Sequence, residues 1–185
     1  MKSRLILPSV LAISLATLIP AIGQVIKTPL RPPRRINPQL YREDVNAQDE
    51  INRALASAAK QHKRVLLDFG GNWCIDCHIL ENAFQSPRID PLLEQNFVVV
   101  HVDVGKFDKN LDLAKRYRVD LEKGVPSLAV LNARGGAIYS TGDFERARVL
   151  SEEDVIAFLD QWKPSRPGNA SSGPPGAARG QAAKK

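Results

Sequence analysis

The pattern of apolar positions predicts helices and strands that alternate along the first half of the folded region. Apolar residues recur at helical spacing between Asn46 and about Gln61, which predicts a helix with Asn46 as its N-cap. A short apolar run at 64–69 predicts a buried strand, and a second run at 97–104 predicts another. Because the run at 97–104 is β-branched and almost wholly apolar, we expect it to be a central parallel strand.

Three helices are predicted between and after these strands. One extends from Cys74 to about Phe84. A short helix should follow it, with Ser86 as its cap and Pro87 at its first position. A further short helix is predicted at 111–117.

The last part of the folded region combines a hairpin with a helix. Apolar runs at 127–131 and 137–140 flank a Gly-Gly pair at 135–136, which is typical of two strands joined by a tight turn. Ser151 and Asp154 form a capping pair for a final helix. Strands joined by helices are parallel, whereas a hairpin is antiparallel. The predicted fold class is therefore α/β, with a mixed central sheet flanked by helices.

The first 23 residues have the pattern of an export signal. Two basic residues open the chain, residues 5–19 form an apolar run of 15, and a small-residue sequence at 21–23 suits a signal peptidase. A membrane span usually needs about 20 apolar residues, so this run is short for an anchor. We predict a signal peptide over 1–23, cleaved after about Gly23, and a periplasmic protein. An uncleaved anchor is the alternative.

Composition and charge divide the rest of the chain into a folded body and two flanks. Residues 24–42 contain four prolines and five basic residues and predict a basic, proline-rich linker, while 164–185 predict a disordered tail rich in Pro, Gly and Ala. The whole chain has a net charge of +6, but residues 43–163 hold 15 basic and all 20 acidic residues. The domain expected at 43–163 is therefore acidic, which argues against nucleic acid as a partner.

The candidate chemistry lies in a Cys-x-x-Cys pair, which contains the only two cysteines of the chain. Cys74 and Cys77 stand where a predicted strand ends and a predicted helix begins. Free N–H groups and the positive end of the helix dipole stabilise a thiolate at such a position. The thiolate is the form that attacks disulfides. The pattern predicts that Cys74 attacks and that Cys77, one turn further on, resolves the mixed disulfide.

Two separated motifs resemble the thioredoxin family. Residues 68–77 (DFGGNWCIDC) resemble its active-site segment, and residues 124–127 (GVPS) resemble the loop that holds a cis-proline opposite the dithiol. The resemblance covers about residues 45–163 and implies a thioredoxin-like fold for the domain.

The resemblance also implies roles for individual residues. Asp68 would be the buried carboxylate that accepts a proton from the resolving cysteine, and Trp73 would pack beside the dithiol. The peptide bond between Val125 and Pro126 would be cis, and the backbone beside it would pair with an extended substrate. The resemblance thus assigns catalytic roles to Cys74, Cys77 and Asp68, and substrate binding to Trp73, Val125 and Pro126.

Two departures from thioredoxin bear on function. Ile75 and Asp76 replace the Gly-Pro dipeptide between the cysteines, so redox potential and partner choice do not transfer. Gly70 and Gly71 replace bulkier residues, so we expect a groove to open beside Cys74. The chain resembles exported members of the superfamily, including the C-terminal domain of the transmembrane thiol–disulfide electron transporter.

These observations predict an exported thiol–disulfide oxidoreductase that reduces protein disulfides. Asp68 and Asp76 place two carboxylates near Cys74, which should oppose a very low thiol pKa, and a thiol pKa near neutral is typical of a reductant. The expected partners are protein disulfide or dithiol substrates and a transmembrane dithiol electron donor. No cofactor or metal is expected. Asp76 and Glu81 are interpreted as solvated helix charges.

Three alternatives use the same residues. A non-catalytic module could keep the fold and bind an assembly partner in the Pro126 groove, although it would have no use for a dithiol. Residues 74–78 also spell the c-type haem attachment motif, with His78 as axial ligand and His62 or His101 as the second. A zinc site made of the two cysteines with His78 and His101 lacks the ligand spacing of structural sites.

Overall fold

Four strands form one mixed sheet in the computed structural model, which describes residues 27–141 and 143–165. The strands are β1 (Arg64–Gly70), β2 (Phe97–Asp103), β3 (Ser127–Leu131) and β4 (Ala137–Thr141). They lie in the order β2-β1-β3-β4. β1 pairs with β2 in parallel and with β3 in antiparallel orientation, and β3 and β4 form the predicted antiparallel hairpin.

In the described part of the chain, five α-helices cover the two faces of this sheet. They are α1 (Ala47–Gln61), α2 (Ile75–Phe84), α3 (Asp90–Asn96), α4 (Leu111–Arg116) and α5 (Glu152–Trp162), together with two 3-10 turns at Leu121–Lys123 and Ala147–Val149. Apolar residues of α1 and α4 fill the core on one face, and those of α2, α3 and α5 fill it on the other. The α/β class with a mixed central sheet between helices is confirmed.

The capping residues found in the sequence begin two of the helices. The side chain of Asn46 accepts a hydrogen bond from the N–H of Asp49 at 3.1 Å and starts α1. At α5 the Ser151 hydroxyl accepts from the N–H of Asp154, and the Asp154 carboxylate accepts from the N–H of Ser151 at 2.9 Å. Both caps satisfy N–H groups that the first helical turn leaves free.

The position of β2 in the sheet differs from the prediction. β2 is parallel to β1, as expected, but it lies at an edge of the sheet, whereas β1 and β3 are central. Helices α1 and α3 pack against β2, so apolar residues are accommodated on both faces of an edge strand. Val98, Val99 and His101 are only partly buried. The apolar run of β2 reflects the helices that cover both of its faces, and it gave no information on whether a strand pairs with β2 on one side or on both.

The start of α3 also differs from the prediction. The helix begins at Asp90, with Pro91 in its first turn, and not after Ser86. The carbonyl of Ser86 accepts hydrogen bonds from the N–H groups of Ile89 (3.0 Å) and Asp90 (2.9 Å), which closes a turn between the two helices. The Ser86 hydroxyl has no hydrogen-bond partner among the described residues, so it caps nothing there.

The segment predicted to be a solvated linker contributes to both cores. Leu30 is buried, and its N–H donates to the carbonyl of Leu150 at 2.7 Å. Leu40 and Tyr41 are buried in the core beneath α1, and Tyr41 is completely inaccessible to solvent. The linker prediction is therefore wrong at these positions. Isolated apolar residues among prolines show no periodicity, so composition did not reveal that tertiary contacts bury them.

The predicted signal peptide over 1–23 lies outside the described residues, as does the predicted tail over 164–185 apart from its first two residues. Within 27–141 and 143–165, none of the helices combines the length and the apolar character needed to cross a membrane.

Candidate active site

The two cysteines lie at the N-terminus of α2. β1 ends at Gly70, and Cys74 is the N-cap of the helix that begins at Ile75. Cys74 and Cys77 form a disulfide with their Cα atoms 5.3 Å apart. The N–H of Cys77 donates to Sγ of Cys74 at 3.1 Å, so a backbone donor of the first helical turn points at this sulfur. Such a donor stabilises a thiolate on Cys74 after reduction.

The loop before β3 brings the second motif to the dithiol. The peptide bond between Val125 and Pro126 is cis. The carbonyl oxygen of Val125 lies 3.4 Å from Sγ of Cys74, although 51 residues separate them in the chain. The antiparallel pairing of Ser127 with Phe69 fixes this loop next to the end of β1. The fold therefore joins the two sequence motifs in one site.

Asp68 lies inside the protein, two residues before the end of β1. It is inaccessible to solvent, and its Oδ2 accepts a hydrogen bond from the Tyr41 hydroxyl at 2.8 Å. Its Oδ1 has no hydrogen-bond partner among the described residues. Burial raises the pKa of Asp68 to about 6, although His101 and the Tyr41 hydroxyl oppose this shift. A carboxyl group with this pKa can exchange a proton near neutral pH.

His101 and Glu81 connect Asp68 to the surface. Nε2 of His101 lies 3.6 Å from Oδ2 of Asp68 and 3.2 Å from Oε2 of Glu81. Burial lowers the pKa of His101, but the hydrogen bond with Glu81 and the charge of Asp68 raise it more. The interpretation of Glu81 as a solvated charge is therefore wrong. The sequence places His101 only in the haem and zinc alternatives, although its position opposite Asp68 in the parallel pair β1–β2 indicates the contact.

Asp76 is also held by a partner and is not solvated as predicted. It is only 7% exposed, and the backbone N–H and guanidinium of Arg148 donate to its carboxylate. Burial raises the pKa of Asp76, but the hydrogen bonds from Arg148 lower it more, so the net shift is downward. Asp76 is therefore ionised beside the dithiol at neutral pH.

The two glycines after Asp68 do not open a groove. A Cβ on Gly70 would lie 2.3 Å from Oη of Tyr41 and 2.9 Å from Sγ of Cys77, and one on Gly71 would lie 2.7 Å from Nε1 of Trp73. The space that the missing side chains leave is occupied by a phenol and an indole. The expectation of an open groove is wrong, and sequence reasoning missed Tyr41 because it lies in the segment read as a linker.

An exposed apolar surface adjoins Cys74 on the side of Trp73. Trp73 is 49% exposed, and its Nε1 donates to the carbonyl of Gly105 at 2.6 Å. Its ring lies 5.7 Å from the ring of Phe107, which is 41% exposed, as is Ile75. Phe107 has a φ of 65°, a left-handed conformation that L-residues seldom adopt. We call Trp73, Ile75 and Phe107 the aromatic surface.

The histidines are not arranged to hold haem. His78 is only 3% exposed, and its Nε2 lies 2.9 Å from the carbonyl oxygen of Asn72. His62 caps the C-terminus of α1, and His101 contacts Asp68 and Glu81. Across the described ranges, no three His, Cys, Asp or Glu side chains are grouped so that they could hold a metal ion. The geometry does not support the haem alternative.

Comparison with known proteins identifies the family of the chain. A family profile described as Thioredoxin-like matches residues 46–133. A crystal structure of a disulphide isomerase from Xylella fastidiosa Temecula1 is 35% identical, covers 66% of this chain and 95% of its own, and superimposes with a TM-score of 0.63. This chain belongs to the thioredoxin-like family. Its Cys74–Cys77 disulfide stands at the start of α2, within the residues that match the profile.

Longer relatives carry the name thiol:disulfide interchange protein DsbD. The protein from Pseudomonas fluorescens is 31% identical over 124 residues, which is 66% of this chain and 20% of that protein. The one from Vibrio cholerae is 34% identical over 113 residues, 60% of this chain and 17% of that protein. The chain thus spans about a fifth of the length of these relatives.

Proposed function

We propose that this protein is an exported reductant of protein disulfides that receives its electrons from a transmembrane dithiol donor. The observation that carries the direction of the reaction is the position of two carboxyl groups near the dithiol: Asp76 stands between the two cysteines, and Asp68 is buried near the end of β1. The thiol:disulfide interchange names of the relatives support the same chemistry.

The exchange takes place in two balanced steps. In the first, the thiolate of Cys74 attacks one sulfur of a substrate disulfide, a mixed disulfide forms, and the other substrate sulfur leaves as a thiolate. In the second, Cys77 gives its proton to Asp68 and its sulfur attacks Cys74. The Cys74–Cys77 disulfide forms and the second substrate thiolate leaves. The substrate disulfide gains two electrons, and the protein dithiol loses them.

The charges around Cys74 favour this direction. An oxidant of this fold stabilises its thiolate strongly, whereas a reductant has a thiol pKa nearer neutral. In the described part of the chain, Sγ of Cys74 contacts the Val125 carbonyl and the Cys77 N–H, and no charged side chain donates to it. The guanidinium of Arg148 is bound to Asp76. Carboxylates near the sulfur raise the cost of a thiolate, which favours the disulfide form and hence a reducing potential.

The proposed substrate contact surface consists of the aromatic surface together with the backbone beside Val125 and Pro126, two residues that are themselves buried. An extended segment of the substrate would lie beside the Val125 carbonyl, which places its disulfide against Cys74. Apolar substrate residues would pack on Trp73 and Phe107, whose rings are exposed next to the dithiol. Exposed aromatic side chains are typical of protein interaction sites.

The redox state of the protein in bacterial cells tests this proposal. The full chain is produced in a bacterium with or without a transmembrane dithiol donor, and its free thiols are trapped by acid quenching and alkylation. We expect a largely reduced Cys74–Cys77 pair that becomes oxidised when the donor is deleted. A pair that is fully oxidised while the donor is present contradicts the proposal.

Two measurements on the purified protein complete the test. Equilibrium with a glutathione buffer should give a potential below about −220 mV, in the range of reductants, and a value near that of the strong oxidants, about −120 mV, contradicts the direction. The intact mass of the protein recovered from the periplasmic fraction should lack residues 1–23. Recovery of the full-length mass in the cytoplasm contradicts export.

A further inference from the structure

Tyr41 is a buried phenol that the exchange steps above do not use. It lies before α1 and outside the residues 46–133 that match the family profile. Nevertheless its side chain is completely buried, and its hydroxyl donates to Oδ2 of Asp68 at 2.8 Å. Among the described residues the Tyr41 hydroxyl has one hydrogen-bond partner, the carboxylate proposed as the proton acceptor, so Tyr41 is placed to influence the reaction.

We propose that Tyr41 is a positioning residue for the exchange, and that its hydroxyl holds Oδ2 of Asp68 and leaves Oδ1 as the oxygen that takes the proton of Cys77. This inference rests on the proposed role of Asp68 in the second exchange step.

The two oxygens of Asp68 have different surroundings. Oδ2 faces the Tyr41 hydroxyl and, at 3.6 Å, Nε2 of His101. Oδ1 is buried with no hydrogen-bond partner among the described residues. A proton on Oδ2 would weaken the hydrogen bond from Tyr41, whereas a proton on Oδ1 leaves that bond in place. The hydrogen bond therefore assigns the two oxygens different tasks in the second exchange step.

The close approach of Tyr41 to the dithiol depends on Gly70. A Cβ at this position would lie 2.3 Å from Oη of Tyr41 and 2.9 Å from Sγ of Cys77. Any larger residue at position 70 would therefore collide with both. Because Gly70 has no side chain, the Tyr41 phenol and Sγ of Cys77 can both lie close to this position, and the phenol reaches the carboxylate of Asp68.

The Tyr41 hydroxyl favours the ionised form of Asp68, because a donor to a carboxylate stabilises its charge. Four other groups act on the same carboxyl group or on the phenol. His101 favours the ionised form of Asp68, and Glu81 disfavours it. Cys77 is the proton donor in the proposed step, and Asp103 acts on Tyr41. Within 27–141 and 143–165, only the Tyr41 hydroxyl makes a hydrogen bond to the carboxylate of Asp68.

Titration of Asp68 in the Tyr41→Phe variant tests the proposal. The carboxyl carbon of Asp68 is followed by carbon-13 NMR in the full-length reduced protein, with Asp68→Asn to assign the signal. Loss of the Tyr41 donor should raise the titration midpoint of Asp68 by about one pH unit. At a pH well below this midpoint, the ionised fraction of Asp68 should then be about tenfold lower. The rate of the second exchange step should show the same shift in its pH profile.

Tyr117→Phe is the matched control. Tyr117 is nearly as buried, lies in the same core, and its hydroxyl makes no hydrogen bond in the described part of the chain. This variant should leave the midpoint unchanged. An unchanged midpoint in Tyr41→Phe, or an equal shift in Tyr117→Phe, overturns the proposal.

A measurement on the unaltered residue covers the case in which Tyr41→Phe does not fold. The ring Cζ of Tyr41 should change its chemical shift through the same pH range as Asp68, and Asp68→Asn should abolish the change. A Tyr41 signal that stays constant through the Asp68 titration contradicts the proposal. Neither titration uses a substrate, so both results are valid even if the protein has no reductase activity. An absence of reductase activity would contradict the proposed function and not the role of Tyr41.

Discussion

Arg148 binds the carboxylate of Asp76 through both its backbone and its side chain. The backbone N–H donates at 2.9 Å, Nε donates at 3.0 Å to the same oxygen, and Nη2 contacts the other oxygen. The two residues are 72 positions apart, and Asp76 stands between the two cysteines. This contact attaches the 3-10 turn Ala147–Val149 to the N-terminus of α2, next to the dithiol.

The first prediction concerns Arg148→Met. Asp76 would lose the guanidinium that lowers its pKa and offsets part of its negative charge beside Cys74. We expect the pKa of the Cys74 thiol to rise, because an unpaired carboxylate opposes the thiolate, and labelling of reduced Cys74 at pH 7 to slow down. Alkylation rates across pH measure the change, and a faster rate contradicts the prediction.

The same substitution should lower stability in a pH-dependent way. The folded-state pKa of Asp76 is below its ordinary value. The ionised Asp76 therefore stabilises the folded protein at a pH above the ordinary pKa, and this stabilisation is lost as the pH falls through the folded-state pKa. The free energy of unfolding of Arg148→Met should therefore be lower than that of the wild type at pH 7, and the difference should shrink in acid. Arg146→Met, an exposed neighbour of equal charge, is the control.

The second prediction concerns the division of labour between the cysteines. Cys74 is the N-cap of α2 and accepts from the Cys77 N–H, whereas Cys77 is completely buried. Cys74→Ser should abolish disulfide reduction, and Cys77→Ser should accumulate mixed disulfides with substrates, which non-reducing gels and mass spectrometry detect. Equal alkylation rates of the two thiols at neutral pH would mean that the helix terminus does not distinguish them.

The third prediction concerns Asp68→Asn. Burial raises the folded-state pKa of Asp68 to about 6 from an ordinary value of 3.8. The protonated carboxyl group therefore favours the folded state at a pH below 3.8, and this stabilisation is lost as the pH rises through 6. Replacement by Asn should stabilise the protein by about 2 kcal/mol at pH 7.5 and by little at pH 4. The amide oxygen can still accept from Tyr41.

Urea unfolding at the two pH values measures this effect. Asp112→Asn, which removes an exposed charge from the start of α4, controls for the change in net charge. The turnover of Asp68→Asn should fall at the same time, because Cys77 loses its proton acceptor. Stabilisation with unchanged turnover would leave Asp68 without a part in the reaction.

The fourth prediction concerns Phe107→Ala. The ring of Phe107 is exposed beside that of Trp73, where the proposed substrate segment lies. We expect KM for a protein disulfide to rise about fivefold, equivalent to about 1 kcal/mol of lost contact, and the rate with a small aromatic disulfide to stay the same. Ile36→Ala, 54% exposed in the segment before α1, should change neither. A loss of rate with both substrates contradicts a docking role.

Local sequence determined the elements of this protein and the chemistry of its dithiol. The caps at Asn46 and Ser151 begin their helices as predicted, because a capping side chain bonds to N–H groups only two or three residues away. The Cys-x-x-Cys pair lies at a strand-to-helix junction for the same reason: a hydrophobic run, two glycines and a helical pattern meet within about ten residues. These features depend on residues that are close together in the chain, so the local sequence is sufficient to predict them.

Tertiary structure decided which distant side chains meet at the site. Tyr41 contacts Asp68 across 27 residues and Arg148 contacts Asp76 across 72, and neither pair follows from periodicity or from a motif. Asp76 and Glu81 had the pattern of solvated charges because a helix sequence shows which residues share a face and not what packs on that face. The edge position of β2 likewise depended on where β3 pairs. Such contacts form only when the whole chain packs, and packing is a long-range property that local patterns do not carry.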